Sequence, residues 1–352
     1  MSDGERPPRR WLRWLVAALT VALLAIFART VDWGRAWTAI IRADPTLLAI
    51  AIVANLASLL VKGIRWWLFL RPAGVAGMSQ AVRATFAGAA LNNVLVANGG
   101  DAARVAAMAR RGNVSSAAVL ATLAVDRFCD LVTYAALFAG AALTVPLPPE
   151  LARWRMPGFA TLGALGVIAV VLVWSGSPRG SAADLVDGRH RGTLARVGRY
   201  WRHLLATSAT IATGPRMLAA IGLSFAAWAG QWATFHYAAH ATAFPMSASA
   251  SLIALLVVNA SFLVRLTPGN VGVFQLLYTL AATANGLEKN SAVAVAFLVQ
   301  LIQYVPVTVV GLLFTPSLVK SRARSSFTPV VAPAGVQSDQ TMRASGDIGG
   351  KS

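Results

Sequence analysis

The chain has 352 residues, of which 57% are hydrophobic and only 12% are charged, about half the charged share of an average soluble domain. Several apolar runs reach the roughly 18 residues expected of a membrane span, so composition argues against a soluble domain and predicts an all-α, polytopic transmembrane bundle. The formal charge of +18 gathers at the ends of apolar runs, which is typical of cytoplasmic loops beside anionic headgroups rather than of nucleic-acid binding.

The chain divides into a basic cytoplasmic arm (1–11), a transmembrane domain (12–315) and a disordered, Ser/Pro/Gly-rich cytoplasmic tail (316–352). The first predicted elements are an uncleaved helix at Leu12–Ala28, an outer loop of mixed charge at Arg29–Asp44, and a helix at Thr46–Val61. The segment KGIRWWLFLRP then sets aromatic anchors beside Lys62, Arg65 and Arg71, as at a membrane interface.

The stretch Gln80–Arg111 is the most informative part of the sequence. It begins as an apolar helix and breaks at Asn92-Asn93 and again at Asn98-Gly99-Gly100-Asp101. Its roughly ten apolar residues are too few to cross a bilayer. Broken backbone at membrane depth is tolerated only where it is buried in protein or lines a wet cavity. We therefore interpret the stretch as re-entrant, with an amphipathic surface helix as the alternative.

A helix that restarts after Gly99-Gly100 would direct unpaired N–H groups, together with Arg104, toward the cavity. Such an N-terminus suits an anion such as a lipid phosphate.

The longest predicted helix, Ser116–Val145, carries three charged residues about three turns from its start. Asp126 and Asp130 are spaced i,i+4 and share a face, with Arg127 beside them. Ionisable residues at this depth are costly and face a bundle interior with a partner. The pattern favours a functional site, and the alternative is a buried ion pair that only fixes helix register.

The middle of the chain predicts anchoring elements and no metal site. A turn at Pro146–Glu150 is expected outside, a helix follows at about 157–174, and the basic loop 175–215 lies inside. The next helix, Met217–Ala239, ends near His236 and His240. Their i,i+4 spacing can bring two imidazoles to one metal, but no acidic ligand accompanies them, so we predict neither a metal nor a cofactor.

The second half repeats the broken-helix pattern of the first. Ser249–Leu266 is apolar and contains Arg265, a Gly-rich break follows at Thr267–Gly272, and a short apolar run occupies Val273–Ala284. The last predicted helix is Ser291–Phe314. Paired interrupted segments indicate an inverted repeat around a transport site. We count about eight crossings, with one or both broken segments re-entrant and both termini inside.

Four motifs resemble the lysylphosphatidylglycerol synthase transmembrane-region family, also described as flippase-like. They are Arg65-Trp66, the block running from Asn92 through Asn98-Gly99-Gly100-Asp101 to Arg104, the triad Asp126, Arg127 and Asp130, and Pro268-Gly269 with Gly272. The resemblance covers about residues 12–315. It implies a plasma-membrane protein that handles or translocates anionic or glycosylated lipids.

Three positions depart from the family pattern. Ala97-Asn98-Gly99 stands where the family commonly has Pro-Ala/Gly-Gly. Gln275 stands where family members often have Glu, and Gln300 lies near a position of the last helix at which they often have Arg. If Gln275 and Gln300 face each other, a neutral amide pair has replaced an ion pair. A charge-coupled step at that position is then in doubt.

The function expected from these residues is a flippase-like lipid transporter and not an enzyme. The alternatives are a non-catalytic subunit or scaffold for an envelope-lipid enzyme and a lipid-modifying transferase. Expected partners are membrane lipids, either anionic phospholipids or polyprenyl-phosphate-linked lipids, and a second copy of the chain or an envelope enzyme, but no nucleic acid. The residues expected to bind substrate are Arg65, Asn92, Asn98, Asp101, Arg104, Asp126, Arg127, Asp130, Arg265, Asn270, Gln275 and Gln300.

Overall fold

The structure is a computed structural model that describes residues 33–75, 77–94, 99–112, 114, 116–144, 153, 156–161, 163–164, 167, 214–242, 244–260, 270 and 272–319. Within these ranges the fold is all-α, as predicted, with nine helices. They are α1 (Trp33–Ile41), α2 (Pro45–Leu70), α3 (Met78–Val94), α4 (Gly99–Gly112), α5 (Ser116–Thr144), α6 (Gly214–Ala241), α7 (Ala248–Ala260), α8 (Val273–Ala284) and α9 (Lys289–Val319). The predicted helix at Leu12–Ala28 and the basic loop 175–215 fall outside the described residues, except for the first two residues of α6.

Two helices of the described part, α2 and α9, are long and apolar enough to cross a membrane. α2 begins with Pro45 after Asp44, whose carboxylate accepts hydrogen bonds from the backbone N–H groups of Thr46 and Leu47 at 2.7 and 3.2 Å. The prediction that this helix ends at Val61 was wrong, because α2 continues to Leu70. Buried acidic partners allow Arg65 to lie inside the bundle, so its charge does not end the helix.

The interpretation of Arg29–Asp44 as a loop was also wrong for Trp33–Ile41, which form α1. Trp37, Ile40 and Ile41 recur at helical spacing and give this short element an apolar face. Ile40 packs against the larger hydrophobic core, and α1 lies against α9.

α3 and α4 form a helical hairpin. Asn92 near the end of α3 meets Gly100 at the start of α4, and Ala84 on α3 shares a hydrophobic cluster with Met108 on α4. The backbones touch where Gly88 faces Gly100: a Cβ added to Gly100 would lie 1.9 Å from the carbonyl oxygen of Gly88. The predicted interruption of this stretch is thus present, and α4 folds back along α3.

α2 and α6 run antiparallel along most of their lengths. Ala241 near the end of α6 accepts a hydrogen bond from the backbone N–H of Asp44 at 2.7 Å, just before α2 begins. In the middle, Ser58 Oγ donates to the carbonyl of Ala227 at 2.7 Å. Close packing is possible because Gly230 on α6 lies against this part of α2.

The helix packing repeats between the two halves. The four helices α2, α3, α4 and α5 of the first half can be matched in order with α6, α7, α8 and α9 of the second half. Each substantial contact among these eight helices then has a counterpart. The contact of α3 with α9 corresponds to that of α7 with α5, and the contact of α4 with α5 corresponds to that of α8 with α9. The matched helices α2 and α6 are themselves antiparallel and contact each other.

Candidate functional site

Six charged side chains meet where α2, α4 and α5 come together. The members of this network are Arg65 on α2, Asp101 and Arg104 on α4, and Asp126, Arg127 and Asp130 on α5. All six were predicted as substrate-binding residues. Three arginines face three aspartates, so the network is internally balanced in charge.

Arg65 lies at the centre of the network and is fully buried. Its Nε lies 2.8 Å from Asp126 Oδ1, and its Nη1 lies 2.7 Å from Asp130 Oδ1. The same Nη1 donates to Ser224 Oγ on α6 at 2.6 Å. The planar, permanently charged guanidinium suits this geometry because it binds several acceptors at once. Arg65 therefore ties α2 to α5 and α6.

Arg104 is held by an aromatic ring as well as by carboxylates. Its guanidinium carbon lies 4.4 Å from the ring centroid of Trp66, and its Nη2 lies 3.4 Å from Asp126 Oδ2. Trp66 is itself oriented by a hydrogen bond from Nε1 to Thr122 Oγ1 at 3.1 Å. A cation over an aromatic face is favourable, most of all away from water. Only 6% of Arg104 is exposed.

Arg127 forms the accessible edge of the network, with half of its side chain exposed. Its Nη2 lies 2.7 Å from Asp101 Oδ2, whereas its Nη1 lies 3.8 Å from Asp130 Oδ2. The second contact is long and therefore weak. An anion that enters beside Arg127 can replace Asp130 there with little loss of interaction energy. The arrangement provides one accessible arginine in front of two buried ones.

Asn92 fixes the start of α4 beside the network. Its Oδ1 accepts a hydrogen bond from the backbone N–H of Gly100 at 2.8 Å. The first N–H groups of a helix have no partner within the helix, and a side-chain oxygen satisfies one of them. We predicted that the N-terminus of α4 faces an anion. One of its N–H groups is instead bonded to Asn92, which is itself a predicted site residue.

A second polar contact joins α8 and α9. Gln275 Nε2 donates to Gln300 Oε1, and Gln275 Oε1 accepts from the backbone N–H of Gly272 at 2.7 Å. Both glutamines are buried. Gly272 and nearby Asn270 have positive φ values of 86° and 56°, which marks a sharply turned backbone before α8. Gln275 and Gln300, whose pairing the sequence left open, therefore contact each other in the structure.

The two polar contacts lie at different heights in the bundle. Asn55 on α2 donates to the carbonyl of Ile302, beside Gln300 on α9, at 3.0 Å. Arg65 is about ten residues further along α2, which corresponds to roughly 15 Å of helix. In the matching of the two halves the α4–α5 contact, which contains Arg104 and Asp126, corresponds to the α8–α9 contact, which contains Gln275 and Gln300.

His236 and His240 lie close together, with ring centroids 4.1 Å apart, and both make local polar contacts. The His236 ring stacks on Trp232 with centroids 5.2 Å apart, and its Nδ1 lies 3.2 Å from Ser251 Oγ. His240 Nδ1 lies 2.9 Å from the carbonyl oxygen of His236. No group of three His, Cys, Asp or Glu side chains in the described ranges is placed to hold a metal ion.

Two predicted site residues, Asn98 and Arg265, fall outside the described residues. Four others at the site were not predicted: Lys62, Trp66, Thr122 and Ser224. Trp66 was quoted only as part of a motif. A lone serine or threonine in an apolar helix has no recognisable pattern, and Arg65 and Ser224 are 159 positions apart. The sequence signal for Lys62 was its place beside Arg65, which we took for an interfacial position.

The fold and the site together define an integral membrane protein with a helical bundle and a buried arginine–aspartate network. The chain belongs to the family of the lysylphosphatidylglycerol synthase transmembrane region, whose profile matches residues 11–311. It is similar to glycosyltransferase AglD of Haloferax volcanii, with 31% identity over 206 residues, or 58% of this chain. The matched part is 28% of that relative, so the chain spans less than a third of its length.

Proposed function

We propose that this protein is a flippase-like transporter that moves anionic or glycosylated lipids across the plasma membrane and catalyses no covalent step. The observation that carries the proposal is the buried network of three arginines and three aspartates beside the α3–α4 hairpin. Charged residues inside a membrane domain are costly and commonly mark substrate pathways. Guanidinium groups match phosphate oxygens in shape and charge.

The packing supports an inverted-repeat architecture for this transporter. In the proposal, the α3–α4 hairpin and the α7–α8 pair are re-entrant from opposite sides, and the whole chain makes about eight crossings. Half-helices that end near the bilayer midplane are the usual site of substrate binding in such folds. Asn93 at the end of α3 donates to Thr308 Oγ1 in the middle of α9 at 3.1 Å. This contact supports a position of the end of α3 near the bilayer midplane.

The orientation follows from the distribution of basic residues. Arg71 and Arg83 lie at the end of α2 and near the start of α3, and cytoplasmic ends of membrane helices carry such excess positive charge. We propose that this end of the bundle and both chain termini are cytoplasmic. The arginine network is then nearer the inner leaflet, and the contact of Gln275 with Gln300 is nearer the outer one.

Within this proposal the aspartates hold the arginines in place until a lipid arrives. A headgroup phosphate enters at the half-exposed Arg127 and displaces Asp130, its loosest partner. Asp101 stays bonded to Arg127 and is available to a sugar hydroxyl or an amine. The mechanism requires neither a metal nor a cofactor.

The printed name of the Haloferax relative favours a second candidate, a lipid-modifying transferase. The matched region is 28% of that protein, and transferase activity can reside elsewhere in it. A third candidate is a non-catalytic subunit or scaffold for an envelope-lipid enzyme.

Reconstitution into liposomes tests the proposal. Fluorescent phosphatidylglycerol and a fluorescent polyprenyl-phosphate sugar are placed in both leaflets, and a membrane-impermeant quencher reports their movement. We expect faster movement than in protein-free liposomes. Failure to move any lipid, with a correctly folded protein, would contradict the transporter; a covalently altered lipid in the same liposomes would establish the transferase.

A further inference from the structure

A proline lies in the middle of α9. Proline has no backbone N–H, so Pro306 cannot donate to the carbonyl of Ile302 one helical turn earlier. Asn55 on α2 supplies the missing donor: its Nδ2 lies 3.0 Å from the carbonyl oxygen of Ile302 and 3.3 Å from that of Gln303. Only 3% of Asn55 is exposed. A buried side chain of α2 thus completes the hydrogen bonding that the proline interrupts in α9.

The two halves of α9 pack against different partners. Before the proline, Val299 and Ile302 belong to the larger hydrophobic core, to which α6, α7 and α8 also contribute. Within the described residues, that core includes no residue of α9 beyond Ile302. After the proline, α9 lies against α3, since a Cβ added to Gly311 would lie 2.5 Å from the carbonyl oxygen of Phe86. Pro306 therefore lies between a core-packed half and an α3-packed half.

This arrangement allows α9 to bend. The proline ring crowds the carbonyl of the residue four positions earlier, and sharp bends of long helices occur at such places. The hydrogen bond that closes the gap comes from α2, so the two halves can tilt while the contact of Asn55 with Ile302 breaks and re-forms. α5, the counterpart of α9 in the matching of the two halves, contains no proline. The bend therefore belongs to one of the two matched helices.

A short series of contacts joins the bend to the start of α4. Asn93 at the end of α3 meets α9 just beyond the proline, where its Nδ2 lies 3.1 Å from Thr308 Oγ1. The preceding residue, Asn92, accepts a hydrogen bond from the backbone N–H of Gly100 at 2.8 Å. Two adjacent asparagines thus connect the α3-packed half of α9 to the first turn of α4.

We propose that α9 bends at Pro306 and that Asn93 transmits the bend to the arginine–aspartate network through the start of α4. Gly100 precedes Asp101, whose carboxylate holds the half-exposed Arg127 at 2.7 Å. A displacement of the end of α3 moves Asp101 relative to Arg127 and so changes access to that arginine. The role of the bend in transport rests on the proposed function, for which it supplies the moving element.

Spin labels on either side of the proline test the bend. Leu301 and Leu313 are exposed, and a straight helix places them about 18 Å apart along its axis. Both are changed to cysteine and labelled in nanodiscs, while Cys129 is buried and stays unlabelled. Double electron–electron resonance should give a broad distance distribution that Pro306→Ala narrows to the straight-helix value. Val305→Ala, at the exposed neighbour, should leave it broad; the same distribution in Pro306→Ala as in the parent would overturn the bend.

A double-mutant comparison tests the role of Asn55. Asn55→Leu leaves the Ile302 carbonyl without its donor and should lower the midpoint of thermal denaturation by a few degrees. The loss should be smaller in the Pro306→Ala background, because the alanine N–H supplies the missing bond. Asn259→Leu is the matched control, since that amide bonds within its own helix and its loss should be equal in both backgrounds. Equal losses for Asn55→Leu would overturn its assignment.

A second pair of labels tests the transmission. Ala102→Cys on α4 and Leu131→Cys on α5 are exposed positions beside the network, and their distance reports the movement of α4 against α5. Asn93→Leu removes the contact with Thr308 but leaves the proline in place. It should narrow the α4–α5 distribution while the distribution across Pro306 stays broad. An unchanged α4–α5 distribution in Asn93→Leu would overturn the transmission.

Lipid movement in liposomes separates the bend from the proposed function. Pro306→Ala and Asn93→Leu should each slow it at least about 3-fold, since conformational steps commonly set the turnover rate. Val305→Ala should leave it unchanged. A bend in the wild type without lipid movement would leave the bend and reject the transporter. Unchanged movement in Pro306→Ala, once its distance distribution has narrowed, would reject the role of the bend and leave the transporter.

Discussion

Arg65 and Asp126 lie 61 positions apart in the sequence, and Arg65 Nε contacts Asp126 Oδ1 at 2.8 Å in an almost fully buried setting. The pair joins α2 to α5, and the same arginine reaches α6 through Ser224. It therefore positions three helices of the bundle together with the charges that we assign to lipid binding.

Removal of Arg65 should destabilise the protein strongly. Arg65→Gln leaves the buried Asp126 and the partly buried Asp130 without their main partner, and breaking a buried ion pair costs about 3–5 kcal/mol. Arg127→Gln should cost at most about 1 kcal/mol, because half of that side chain is exposed and its pairing is screened. Thermal denaturation in detergent compares the two variants, and equal losses of stability would contradict the central role of Arg65.

Gly100 should tolerate no side chain. A Cβ at this position would lie 1.9 Å from the carbonyl oxygen of Gly88, so Gly100→Ala must separate α3 from α4 and should cost at least about 1–3 kcal/mol. Gly222→Ala is the matched control, since nothing lies within 4 Å of its added Cβ and alanine favours a helix. The yield of folded protein after solubilisation is the measurement; similar yields would reject the hairpin contact.

Gln275 on α8 and Gln300 on α9 should be replaceable by an ion pair only when both residues are changed together. Gln275→Glu keeps the acceptor for Gly272 N–H but buries a charge, and Gln300→Arg buries the opposite charge. The double variant should therefore be more stable than the sum of the single changes predicts, with a coupling energy of about 0.5–3 kcal/mol. Equal damage from all three variants, measured by thermal denaturation, would show that the contact does not couple the two positions.

The two ends of the bundle should face opposite sides of the membrane. Cys129 is buried, so an introduced cysteine can be labelled selectively. In intact cells a membrane-impermeant maleimide should label Ala284→Cys at the end of α8, whereas Pro72→Cys should require permeabilised membranes. Labelling of both from the same side would contradict the inverted repeat and its orientation.

The sequence was sufficient to predict the broken-helix pattern and most of the charged site. The inward placement of Asp126 and Asp130 followed from their depth in a long apolar helix, and the boundary between α3 and α4 followed from Asn92-Asn93 and Asn98-Gly99-Gly100. The partners of these groups on other helices could not be derived from helical spacing alone. Arg65 was read as interfacial because its sequence neighbours are cationic and aromatic, while its burial depends on carboxylates contributed by α5.

The central claim, that the arginine–aspartate network binds lipid instead of only fixing the helices, is tested most directly at Arg127. Its exposure allows Arg127→Gln to remain folded, so a change in lipid movement reports on function. The control is Arg83→Gln, an exposed arginine on α3 that lies over Phe314 and outside the network. In liposomes we expect Arg127→Gln to slow movement of phosphatidylglycerol at least about 10-fold and Arg83→Gln to leave it unchanged. Equal movement by wild type and Arg127→Gln would contradict the account and leave the network a structural role alone.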